Sequence, residues 1–67
     1  MEKYYVNDNE LKDGNYEIHT ATCAQLPNPY DLTFLGEFSH TKFAIAEAKK
    51  MNYNPIPCKH CGLNYEI

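Results

Sequence analysis

The chain has 67 residues and a net charge of −3, with 43% hydrophobic, 13% aromatic and 22% charged residues. That length holds one domain at most, here read as 1–67, and its core yields no more than about 3–5 kcal/mol, so a metal, a disulfide or a partner must add to it. The composition excludes a disordered chain, and no apolar run reaches the roughly 18 residues of a membrane span.

Residues 1–38 carry Glu2, Asp8, Glu10, Asp13, Glu17, Asp31 and Glu37 against Lys3 and Lys12. Residues 39–61 reverse the sign, with Lys42, Lys49, Lys50 and Lys59 against Glu47. The opening Met1-Glu2-Lys3-Tyr4-Tyr5 lacks the apolar region of a signal peptide, and three cysteines cannot pair off completely. A cytoplasmic protein in a reducing compartment is expected, with a metal as its staple.

The first predicted element is a hairpin. Residues 3–6 and 16–19 are rich in Tyr, Val and Ile, and residues 7–15 between them supply Asn, Asp and Gly turn chemistry. On the second strand Tyr16, Ile18 and Thr20 share one face, and Glu17 and His19 share the other. Pro27-Asn28-Pro29-Tyr30-Asp31 reads as a loop, and residues 32–38 resume a strand with Gly36 inside it. A helix then starts after Ser39 as N-cap and runs from about His40 or Thr41 to Met51 or Asn52, with Ala44, Ile45, Ala48 and Met51 on one stripe. Asn54-Pro55-Ile56-Pro57 ends it and leads in extended form to Cys58. The expected fold is α+β: a short antiparallel sheet, hairpin plus third strand, packed by one helix, with a C-terminal zinc knuckle.

Two pairs carry the chemistry. His19 and Cys23 stand three residues apart, and Cys58 and Cys61 two residues apart. Together they form a set of three thiols and one imidazole, which suits one tetrahedral zinc ion per chain. Cys58-Lys59-His60-Cys61-Gly62 forms the knuckle, with Gly62 free to adopt positive φ. His19 closes on Cys23 through a local turn, whereas His40, at the helix start, is the rival fourth ligand and His60 an exposed loop side chain. A redox role for Cys58 and Cys61 would place them at the start of a helix, and only six residues follow Cys61. Four protein ligands fill tetrahedral zinc and leave no open position, so the site is expected to be structural and the protein not an enzyme.

The pattern Tyr16-x2-His19-x3-Cys23, an Ala44-x3-Ala48 helix, then Asn52-Tyr53-x-Pro55-x2-Cys58-x2-Cys61 resembles the small zinc domains of the Ada type, including those appended to some bacterial nucleases. The resemblance covers about residues 16–62. It implies a zinc fold with the first ligand pair near a strand end and the second after the helix. In the Ada repair domain the first ligand position is a cysteine that accepts a methyl group from a DNA phosphotriester. His19 stands there in this chain, and an imidazole offers no thiolate to alkylate.

Three functions follow as expectations. The first is a zinc module that binds a protein partner, with Tyr4, Tyr5, Tyr30 and Tyr65 as candidate contact surface, present as a monomer or weak dimer. The second is nucleic-acid binding through Lys42, Lys49, Lys50 and Lys59, opposed by a pI of about 5.4 and the absence of arginine. The third, ranked last, is an alkyl acceptor using a zinc thiolate.

Overall fold

The computed structural model describes residues 1–24 and 26–59. Four strands and one helix follow in the order β1 (Glu2–Asn7), β2 (Tyr16–Thr20), β3 (Leu32–Phe38), α1 (Thr41–Lys50) and β4 (Pro55–Pro57), with a 3-10 turn at Pro29–Asp31 before β3. The sheet order is β3-β1-β2-β4. The α+β class, the hairpin, the third strand and the single helix are as the sequence pattern predicts.

The sheet itself differs from the expectation, because it is mixed rather than antiparallel. β1 pairs antiparallel with both β2 and β3, whereas β4 pairs parallel with β2, Tyr16 opposite Pro55 and Ile18 opposite Pro57. Two prolines in three residues mask a strand, since proline has no N–H to give a ladder. They are tolerated because β4 is an edge. The N–H of Cys58 reaches the Ile18 carbonyl at 3.1 Å, so by alternation the nitrogens of Pro55 and Pro57 face outward, where no strand among the described residues follows.

Tyr4, Val6, Ile18 and Leu35 on one face of the sheet form the core with Ala44, Ile45 and Ala48 of α1. Full burial of a side chain such as Val6, Ile18 or Ile45 contributes about 1.5–3 kcal/mol each. Ala44 and Ala48 are fully buried and let the helix sit close to the strands. The fourth member of the expected stripe departs: Met51 is 40% exposed, since it is the C-cap and lies past the last helical turn.

The helix ends also correct the sequence reading. The N-cap is His40 rather than Ser39, and its Nδ1 accepts the Lys42 N–H at 3.1 Å. The helix stops before the prolines. Asn52 takes a left-handed φ of 71°, its N–H bonds to the Lys49 carbonyl, and the Tyr53 N–H bonds to the Ala48 carbonyl. These two bonds make a Schellman motif, with asparagine where glycine is more usual.

Tyr53 then ties the helix exit to the sheet. Its hydroxyl donates to Asp8 Oδ1 at 2.6 Å, Thr33 Oγ1 donates to Asp8 Oδ2 at 2.7 Å, and its ring packs edge-on against Tyr16 at 5.1 Å. The Asp8 carboxylate raises the Tyr53 hydroxyl pKa above 10.0 by accepting its proton in a hydrogen bond. These contacts bring residue 54 alongside β2, where the Asn54 carbonyl accepts the Tyr16 N–H at 3.0 Å, and so start the β4 pairing.

A bulge shapes β3. Tyr5 pairs with Phe34 and Tyr4 with Gly36, so Leu35 is the extra residue, and it turns into the core. Gly36 has a φ of 134°, and the Phe38 ring lies where a side chain at Gly36 would project. That ring also packs on Tyr4 at 6.1 Å between centroids.

Candidate metal centre

Strand alternation puts His19 on the sheet face opposite Ile18, away from the helix. It is nonetheless only 2% exposed. After Thr20 the chain turns back, with the Cys23 N–H on the Thr20 carbonyl at 3.1 Å and the Leu26 N–H on the Cys23 carbonyl at 3.2 Å. That turn brings the Cys23 thiol beneath the end of β2, as the three-residue spacing from His19 predicts.

Cys58 arrives from the other direction. In the parallel register Ile18 faces Pro57, so one step further His19 faces Cys58, and facing residues of a parallel pair project to the same side. His19, Cys23 and Cys58 are all buried, and their ligand atoms all lie within 4.8 Å of one another. The two sulfurs are 3.8 Å apart, and neither is in a disulfide.

This donor set fits a metal. Two thiolates on one tetrahedral zinc, each about 2.3 Å from the ion, stand about 3.8 Å apart by simple trigonometry. A disulfide would need about 2.05 Å. The imidazole is in the right form too. Burial lowers the His19 pKa below 6.5, with the Glu17 charge pulling the other way, so the ring is held neutral as a ligand must be. Glu17 Oε1 lies 3.7 Å from His19 Nε2. The alternation of β2 places Glu17 on the His19 face, but no motif in the chain assigns it a role beside the imidazole.

Among the described residues, His19, Cys23 and Cys58 are the group of His, Cys, Asp or Glu side chains so gathered. His40, the rival ligand, is spent on capping α1. Cys61 and His60, and with them most of the knuckle, lie outside the described residues. Cys58 directly follows β4.

The other singled-out residues spread over the surface and the core. Lys42, Lys49, Lys50 and Lys59 are exposed, with Lys42 Nζ 5.3 Å from the centre of the Phe43 ring. The expected tyrosine surface does not hold together: Tyr4 is buried in the core, Tyr5 packs half-buried against Phe34, and Tyr30 is exposed. Tyr65 lies outside the described residues. Among the described residues no helix is long and apolar enough to cross a membrane.

No family model matches the chain, and no curated protein or solved structure matches it either.

Proposed function

We propose that this domain folds around one zinc ion held by His19, Cys23, Cys58 and Cys61, and that it serves as a non-catalytic module binding a protein partner. The observation that carries the metal reading is the 3.8 Å separation of the Cys23 and Cys58 sulfurs beside the buried His19 imidazole. The C-x2-C spacing supplies Cys61 as the fourth ligand. The set then matches the Ada-type pattern with His19 in place of its first cysteine. Four protein ligands leave zinc no open position for substrate, which is why the reading is structural rather than catalytic. Exposed Tyr30 and Phe34, together with the acidic residues of the N-terminal half, favour a protein as the partner.

Native mass spectrometry with and without chelator tests the metal. One zinc per chain, lost together with circular-dichroism structure on chelation, is the expected result. A folded chain with no metal would refute it.

A second reading is nucleic-acid binding of the Ada-like kind, favoured by the exposure of Lys42, Lys49, Lys50 and Lys59. Retention on a DNA column that falls steeply with salt would support it, and no retention at low ionic strength would leave the protein-binding reading.

A further inference from the structure

We propose that Cys23 and Cys58 are a site of reversible oxidation by peroxides, the same two sulfurs holding the metal when reduced and closing a disulfide when oxidised. The metal-release half rests on the zinc reading above; the disulfide half rests on the sulfur geometry alone. The sulfurs are 3.8 Å apart, so closing a bond requires an approach of about 1.7 Å. Neither cysteine lies within a strand: Cys23 sits in the turn after β2 and Cys58 follows β4. Cys23 is the more exposed residue, at 9% against 3% for Cys58, which makes it the side of the pair a small oxidant approaches first.

The chemistry balances with hydrogen peroxide as the oxidant. The Cys23 thiolate attacks one peroxide oxygen, the O–O bond breaks, and hydroxide leaves a sulfenic acid on Cys23. The Cys58 thiolate then attacks that sulfur, the S–O bond breaks, and a second hydroxide leaves. Two electrons pass from the sulfurs to the peroxide. Metal binding keeps both thiols deprotonated, so the nucleophiles are ready, and the disulfide removes two of the ligands at once. The rival product is a Cys58–Cys61 disulfide, and trypsin distinguishes them, because Lys42 and Lys59 place Cys23, Cys58 and Cys61 on three different peptides.

The test treats the zinc-loaded full chain with hydrogen peroxide, follows zinc with a chromogenic chelator, and maps the products by non-reducing tryptic digestion. The expected result is one zinc released per chain, a peptide joining Cys23 to Cys58, and recovery of zinc binding after dithiothreitol. Cys61→Ser, which removes the rival disulfide, should form the same link. A Cys58–Cys61 link in the native chain, or oxidation of single cysteines with no cross-link, would overturn the proposal. A chain that carries no zinc at the outset would refute the metal reading, and the peptide map of that same sample still decides the dithiol.

Discussion

The carbonyl of Ile18 accepts the N–H of Cys58 at 3.1 Å, one residue past the last paired position of the parallel β2–β4 ladder. That bond sets Cys58 level with His19, and the same strand that buries Ile18 against the helix turns His19 to the opposite side. The core and the candidate metal centre are therefore two faces of one strand. A metal bound between β2, its following turn and the end of β4 would clamp the edge strand that makes the sheet mixed. Folding and metal binding then share one equilibrium, with apparent zinc affinities of about 10–16 kcal/mol in small domains exceeding what the apolar core supplies.

The two buried or half-buried histidines should separate cleanly by mutation. His19→Ala removes a ligand and should abolish stoichiometric zinc binding along with the cooperative melt. His40→Ala removes the side-chain acceptor for the Lys42 N–H. It should cost about 0.5–2 kcal/mol of stability, as lost caps do, with zinc stoichiometry unchanged. Native mass spectrometry and thermal melts on both variants check this; zinc lost in His40→Ala and kept in His19→Ala would reverse the assignment.

His19→Cys is expected to keep the metal, because four thiolates hold structural zinc as well as three thiolates and an imidazole do. Cobalt substitution reads this directly: an added thiolate should intensify the sulfur-to-metal charge-transfer absorption. A variant that takes up cobalt with unchanged sulfur-to-metal charge-transfer intensity would show that His19 is not a ligand.

The legible parts of this fold are those whose signal is local. The hairpin is written in the Tyr, Val and Ile runs around residues 7–15, and the helix in Ala44, Ile45 and Ala48. The turn from His19 to Cys23 is legible for the same reason. β4 is not, because Pro55 and Pro57 are poor strand residues in isolation and are accommodated only once β2 provides an edge to lie against. The Leu35 bulge is equally hidden, since its signal is a register shift between Tyr4 and Tyr5 that depends on the pairing partner. Capping by His40 is masked by its neighbour Ser39, because serine is the commoner N-cap, while in the structure the imidazole nitrogen makes that bond.

Gly36→Ala should destabilise the domain by about 1–3 kcal/mol through backbone strain alone, since a φ of 134° suits glycine and few other residues. The added methyl would also lie 3.0 Å from Phe38 Cζ, so that ring must give by a few tenths of an ångström. A melt of the zinc-loaded variant should show the loss, with zinc stoichiometry intact because β3 lies at the far edge of the sheet from β4. An unchanged melting temperature would contradict the bulge geometry.

Acid should unfold the domain from the metal side. Burial holds the His19 pKa below its unfolded 6.5, so between the two values the unfolded chain binds more protons than the folded one. The stability this contributes is complete above about pH 6.5 and is lost as pH falls through the interval. Metal binding adds a dependence of the same sign, because protons compete with the ion for the imidazole and the thiolates. Melts of the zinc-loaded chain should therefore fall gradually from about pH 8 as the thiols of the unfolded chain take up protons, and more steeply below about pH 6.5 as the unfolded imidazole joins them, with zinc released as the pH falls. In His19→Cys the imidazole contribution is gone, and any fall that remains belongs to the thiolates and the carboxylates. Stability that rises on acidification in the native chain would mean that His19 is charged in the fold, and the neutral-ligand reading of the site would fail.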